Sequence, residues 1–170
     1  MSGFCIRPLG PADAPAYREL RLAALQETPG AFVTTAEDFA TRPLEVLAQR
    51  LQPSPENVTF GAFIGSAELV GMVILARESG ERSRHRAYIF GVAVLQKAQG
   101  QGIGRALMET AIAYARELKG LSSLHLDVME GQIAALELYR SLGFEVWGTD
   151  PAAMQVGGRR VAAHAMWLAL

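Results

Sequence analysis

A chain of 170 residues, half of them hydrophobic, is long enough to bury one substantial core, and one domain over residues 1–170 is the simplest expectation. No apolar run approaches the ~20 residues that cross a bilayer, and the start, Met1 to Pro8, has no apolar stretch behind a basic head, so no signal peptide is expected. A net charge of −1 argues against a dedicated nucleic-acid binder, which leaves a cytoplasmic protein meeting small molecules or local protein sites, with no membrane partner.

Phe4–Arg7 reads as a first strand, with Cys5 in it as a small buried hydrophobe. Cys5 is the only cysteine, which excludes an internal disulfide and a cysteine-rich metal site. After a turn at Pro8–Pro11, Asp13 is expected to cap a helix over Ala14–Leu25, which Thr28-Pro29-Gly30 breaks. Ala31–Gln52 reads as two short helical pieces interrupted by Pro43, and Pro53-Ser54-Pro55 ends that stretch. Val58–Ile64 and Leu69–Arg77 read as strands joined by a hairpin turn at Gly65-Ser66-Ala67-Glu68. The connection from Glu78 to Arg86 carries Arg82, Arg84, His85 and Arg86; with Glu78 and Glu81 diluting the charge, it reads as a solvated loop rather than an anion site.

Ala87–Val94 is β-type and runs into a polar loop with three alternating glycines, Gly100-Gln101-Gly102-Ile103-Gly104. A helix follows from Gly102 to about Leu118, with an apolar stripe of Ile103, Leu107, Ala111, Ala115 and Leu118, and Gly120 stops it. Leu124–Val128 alternates as a strand; Gln132–Leu142 is a second amphipathic helix, with Ala135, Leu138, Tyr139 and Leu142 on one side, and Gly143 ends it. Phe144–Trp147 and Arg160–Leu168 close the chain as strands. The order β-α-α-β-β-β-α-β-α-β-β predicts an α/β chain of α+β type, with a mixed, mostly antiparallel sheet flanked by helices and one parallel pair at the ligand site. His85, His125 and His164 lack metal-ligand spacing, and no metal is expected.

Glycines at a strand–helix junction admit a ligand close to the backbone, and a helix N-terminus attracts anions; together they predict a pyrophosphate cradle. The dinucleotide fingerprint needs G-x-G-x-x-G in a first βαβ unit, whereas this loop is G-x-G-x-G and sits late. A Walker A loop needs G-K-[ST], whereas Gly104 is followed by Arg105-Ala106. Both nucleotide readings fail, and with the first a nicotinamide-dependent oxidoreductase is disfavoured.

Gln99-Gly100-Gln101-Gly102-Ile103-Gly104 does match Q/R-x-x-G-x-G/A, and through it the chain resembles the GNAT superfamily of acetyl-CoA-dependent N-acetyltransferases. The run Val128–Phe144 is similar to that family's V-x3-N-x2-A-x2-LY-x3-GF signature, with Leu138-Tyr139 and Gly143-Phe144 in register and Gln132 where the family has Asn. The resemblance implies a splayed parallel strand pair at the cofactor site, acetyl-CoA as co-substrate, and an amine acceptor that is a small molecule or a protein; it leaves room for a homodimer. It places the pyrophosphate on Gln99, Gly100, Gln101, Gly102, Ile103, Gly104 and Arg105, with Lys97 as an added charge. Pantetheine would run along Val92-Ala93-Val94 and meet Gln132, beside a bulge near Gly91, and a backbone N–H of that strand would serve the oxyanion. Tyr139 is the implied acid toward the leaving thiolate. For the amine's proton Asp127, Glu130 and His164 stay open, although Asp127 is expected on the sheet face opposite Leu126 and Val128, Glu130 in a solvated loop, and His164 in the core beside Met166. The acceptor pocket is implied between Thr28–Thr34 and the last hairpin, Asp150–Arg160. A non-catalytic acyl-CoA-binding or sensing module on the same fold is the alternative function.

Overall fold

The computed structural model describes residues 3–65 and 67–170; Met1, Ser2 and Ser66, and with them the first residues of the chain and part of the expected Gly65–Glu68 turn, lie outside the described residues. The elements run β1 (Phe4–Pro8), α1 (Ala14–Glu27), α2 (Ala36–Ala40), α3 (Leu44–Arg50), β2 (Asn57–Ile64), β3 (Glu68–Arg77), β4 (Arg86–Val94), α4 (Ile103–Glu117), β5 (Ser123–Met129), α5 (Ile133–Ser141), β6 (Glu145–Val156) and β7 (Arg159–Ala169). The strands form one sheet in the order β1-β2-β3-β4-β5-β7-β6. Every neighbouring pair is antiparallel except β4 and β5. The mixed sheet with a single parallel pair is therefore as expected.

Helices cover both faces. On one face Ile103, Leu107, Met108, Ala111, Ile112 and Ala115 of α4 pack against Val73, Leu75, Ile89, Leu124 and Leu126, so the predicted stripe is buried and widened by Met108 and Ile112. On the other face Tyr17, Leu20, Ala24 and Leu25 of α1 meet Phe63, Leu69, Met72, Ala93 and Leu95, with Phe39 of α2 and Leu47 of α3 closing that layer. Pro43 separates α2 from α3 as its position predicts, and Thr35 caps α2 by accepting from the Asp38 N–H at 3.1 Å.

Three local expectations are corrected. Asp13 does not cap α1 with its side chain: the carboxylate accepts two hydrogen bonds from Arg7 (2.9 and 2.8 Å) and one from the Gly10 N–H (2.8 Å), fastening the turn before the helix instead. Cys5 is exposed, because β1 is an edge strand paired only with β2. The last hairpin is far longer than Phe144–Trp147 suggested, since β6 continues to Val156 through a register shift between Asp150 and Met154. That bulge accommodates Pro151 on an edge strand, where its missing N–H does no harm, and Gly157 and Gly158, both at positive φ, make the turn. The charged connection behaves as a surface loop: Arg84 pairs with Glu56, and the Arg84 carbonyl accepts from the Arg77 guanidinium at 2.5 Å.

The feature that positions the site is where β4 and β5 part. They pair only through Arg86/Ser123, Ala87/Leu124 and Tyr88/His125. Beyond Tyr88, the β3–β4 register slips between Met72 and Ile74, so that Gly91 and Val92 oppose a single residue of β3. Gly91 takes φ +61, and a Cβ there would stand 3.0 Å from the Ile74 side chain and 3.2 Å from that of Met72. Only glycine turns the strand at this point, and Phe90–Val94 leaves Leu126–Met129 as a wedge-shaped gap.

Leu107 is fully buried at the centre of the α4 layer, so Leu107→Ala is expected to cost about 2–5 kcal/mol in urea denaturation. Ile133→Ala, at a side chain 67% exposed, is expected to change stability by less than about 0.5 kcal/mol.

Candidate active site

Two clefts occupy the wedge. The first has a volume of about 610 Å³ and is walled by Val92–Val94 of β4, the glycine loop, the first turn of α4, and Gln132, Ala135, Leu138 and Tyr139 at the start and inner face of α5. The second, about 390 Å³, lies between β5 and the segment after α1, and is walled by Arg21, Phe32, Thr34, Tyr88, Phe90, Asp127 and Met129 among others. Ala31, Phe32, Val92, Gln132, Ala135 and Tyr139 line both, so Tyr139 stands where the two spaces meet.

The glycine loop has the properties a pyrophosphate requires. Gly100 (φ +74) and Gly102 (φ +79) are left-handed, and a Cβ on either would project into open space, so the loop presents bare backbone. The Ala106 N–H closes the first helical turn on the Gly102 carbonyl (3.0 Å). The amides just before it belong to a first turn that has no internal acceptors, at the positive end of a 15-residue helix. The Gln99 side chain donates to the Val94 carbonyl at 3.0 Å and ties the loop to the end of β4. Arg105 lines the cleft and is held by Ser141 (2.6 Å) and Glu109 (3.5 Å).

Val92, Ala93, Val94, Gln99, Gly100, Gly102, Ile103, Gly104, Arg105, Gln132 and Tyr139 thus converge on one cleft. Gln101 is exposed and outside its lining, and Lys97 is drawn away into an ion pair with Glu68. The C-terminal end of α1 supplies walls that no local pattern announced: Ala24 and Glu27 line the first cleft, and Glu27 accepts from the Gln96 N–H at 2.9 Å.

Tyr139 is 7% exposed and packs edge-on against Phe144, with ring centroids 6.2 Å apart. Burial pushes its phenol up to about 12. It is a neutral O–H donor at any physiological pH, placed at the junction of the clefts.

Of the three acidic or basic candidates for the amine's proton, only Asp127 lines a cleft. It faces away from Leu126 and Val128 as expected, and that face is the wall of the second cleft. Partial desolvation lifts its carboxyl above the usual carboxylate range although the residue stays exposed in the open cleft, and the like charge of Asp150 adds to the lift. Glu130 is instead paired with Arg159 at 3.5 Å. His164 is not a core residue: it is only partly buried, hydrogen-bonded to Thr149 at 2.9 Å across the β6–β7 hairpin. Of the two segments expected around an acceptor, Thr28, Ala31, Phe32, Val33 and Thr34 contribute walls, whereas Asp150–Arg160 contributes none, because β6 and its turn lie at the far edge of the sheet.

Among the described residues no helix is long and apolar enough to cross a membrane, and no group of three or more His, Cys, Asp or Glu is placed to hold a metal ion.

The profile of the acetyltransferase (GNAT) family matches residues 17–144. A mycothiol acetyltransferase of Salinispora tropica is 30% identical over 149 residues, covering 85% of this chain and 46% of the relative. The chain spans roughly half or less of the length of most of the curated relatives it matches. A GNAT-family acetyltransferase structure from Streptococcus pneumoniae superposes with a TM-score of 0.82 at 24% identity, over 98% of this chain and 99% of that one. A structure from Salmonella typhimurium, solved with its cofactor acetyl-CoA, superposes at 0.81 and 24% identity over 98% and 93%. At these identities both likenesses speak for the fold.

The buried Tyr139 phenol is expected to stay protonated where an ordinary tyrosine ionises. At pH 10.5 a free phenol is about three-quarters ionised, while Tyr139 should be ionised by only a few per cent. The ultraviolet difference spectrum between wild type and Tyr139→Phe, followed on folded protein, should therefore lack a phenolate band up to that pH. A band with a midpoint near 10 would place the ring in solvent.

Proposed function

The chain belongs to the acetyltransferase (GNAT) family, and on that premise we propose that it moves the acetyl group of acetyl-CoA directly to a primary amine within a ternary complex. The observation that carries the reading is the pair of clefts meeting at Tyr139, one walled by the glycine loop and the other walled by Asp127.

The first cleft is the proposed donor site. Its pyrophosphate rests on the amides of Gly100, Gly102 and the first turn of α4, with Arg105 beside it and Gln99 bracing the loop. Pantetheine takes the edge of β4 along Val92-Ala93-Val94, which the divergence from β5 leaves without a strand partner, and Gln132 borders the same path. Gln101 is left out of this proposal, since its side chain lies outside the cleft.

The acceptor enters from the second cleft as an ammonium and sheds one proton on the side of Asp127 to become the free amine. Its nitrogen attacks the thioester carbonyl carbon, forming the C–N bond, and a backbone N–H of the Val92–Val94 segment answers the charge on the oxygen. Collapse breaks the C–S bond, and the Tyr139 phenol supplies a proton to the departing thiolate. A second proton leaves the nitrogen as the amide forms and balances the one given to the thiol, so the single proton of the ammonium is the net release. Acetyl-CoA is the only co-substrate this chemistry needs, and no metal enters it. The proposed setting is the cytoplasm.

A Cβ at Gly104 would lie 3.7 Å from Leu138 and Val94, an ordinary contact, so Gly104→Val should fold with a melting temperature within a few degrees of wild type. Its branch would occupy the cradle, and acetyl-CoA affinity by calorimetry should fall at least tenfold; retained affinity would remove the pyrophosphate from this loop. Tyr139→Phe should keep acetyl-CoA affinity and lower kcat in an assay of CoA-thiol release with a panel of amines. Binding without turnover by the wild type across a broad panel would instead identify a non-catalytic acyl-CoA module.

A further inference from the structure

Resting on the acyl-transfer reading above, we infer that the second cleft is built for a small zwitterionic acceptor of the α-amino-acid type. Arg21 receives the carboxylate, and Asp127, on the opposite wall, receives the ammonium that becomes the nucleophile.

Arg21 projects from α1 into the second cleft but not the first. Its guanidinium lies over the Phe32 ring, 4.5 Å from the centroid, which fixes the plane of the fork. The Nη1 atom is buried and meets no hydrogen-bond partner among the described residues. That is an unusual state for a guanidinium, since a buried donor without an acceptor costs as much as a lost hydrogen bond, and more when charged. The other arginines nearby do not line the cleft: Arg42 is half-buried over the Phe39 ring, and Arg18 donates to the Ala40 and Arg42 carbonyls. Burial also makes the Arg21 charge harder to hold. An anion arriving in the cleft satisfies both the open donor and the charge, and a planar carboxylate matches the fork of a guanidinium in two parallel hydrogen bonds.

Asp127 supplies the opposite sign on the sheet side of the cleft. No ion pair joins it to Arg21 among the described residues, so the two charges stand apart, as they must to hold the two ends of one ligand. Phe32, Tyr88, Phe90 and Met129 line the same cleft and give it an apolar, aromatic character suited to a hydrophobic side chain. A volume of about 390 Å³ suits a single amino acid, whereas a peptide N-terminus would bring a neutral amide to Arg21 in place of a carboxylate.

The test pairs amines that differ only by the carboxylate: L-phenylalanine with phenethylamine and with L-phenylalaninamide, and L-leucine with isoamylamine. Each is assayed for CoA-thiol release, with acetyl-CoA binding measured separately by thermal shift. Wild type should favour the amino acids by at least about 30-fold in kcat/KM. In Arg21→Met that preference should fall to within about threefold, mainly through KM, with the acetyl-CoA shift unchanged, and Arg21→Lys should keep part of it. Equal use of acids, amides and amines by wild type overturns the assignment, as does acetylation of none of the amino acids by a protein that binds acetyl-CoA. So does an Arg21→Met variant that retains the preference. If Arg21→Met does not fold, the wild-type panel decides alone. Failure to bind acetyl-CoA at all would sink the acyl-transfer reading itself, which the separate binding measurement tells apart.

Discussion

The site depends on one interruption in a hydrogen-bonded ladder. Two parallel strands that begin in register separate after Tyr88 and His125, and what separates them is an extra residue in β4 at Gly91, the only residue type its φ of +61 and its neighbours Ile74 and Met72 allow. A sheet does not part without reason: unpaired backbone groups in its middle are costly unless something else satisfies them. Here the freed edges border two clefts, so the missing hydrogen bonds become ligand-facing donors and acceptors rather than buried orphans. Every other element of the site takes its place from that gap. The glycine loop begins at the end of the deflected strand, α5 starts where β5 stops, and α1 packs across the opening through Ala24 and Leu25.

The helices then give each cleft a distinct character. Helix α4 directs its N-terminus and a side-chain-free loop at the first cleft, which makes that end positive without committing a lysine: Lys97 is paired with Glu68 instead. The second cleft has aromatic walls and carries two charges of opposite sign that are not paired with each other. Tyr139 belongs to both, and its burial against Phe144 keeps the phenol neutral where the proposed chemistry needs a donor.

How much of this was legible in the sequence follows from how local each feature is. The glycine loop and the α4 stripe are read from consecutive residues, and the fold came out nearly whole because the strand–helix order restricts the sheet topology. The bulge near Gly91 was anticipated because the family resemblance implies one in that strand, and a glycine inside a β-type run is where the chain can bend. What failed was decided by partners and neighbours that the local pattern does not name. Asp13 looked like a cap until Arg7 and Gly10 claimed its carboxylate, and Lys97 looked like a phosphate ligand until Glu68, 29 residues earlier, neutralised it. Cys5 reads as core in any strand that is not an edge, and edge position is a property of the assembled sheet. The β6 strand ran past Pro151 because an edge strand with a bulge tolerates what a central strand would not.

Arg21 is the sharpest case of the same rule. Within its helix it is one polar residue beside an apolar stripe, and nothing in the spacing of α1 marks it. Its isolation appears only when α1 lies across the gap and Phe32 folds under its guanidinium. The two clefts share Ala31, Phe32, Val92, Gln132, Ala135 and Tyr139, and what sets them apart comes from different parts of the chain: the glycine loop lines only the first, Arg21 and β5 only the second. Arg21, the one α1 residue lining the second cleft, does not reach the glycine loop, and the glycine loop does not reach the second cleft. On the proposed reading, a chain built this way keeps its acyl donor fixed while its acceptor drifts, so a local motif announces the first cleft and only the assembled fold carries the second.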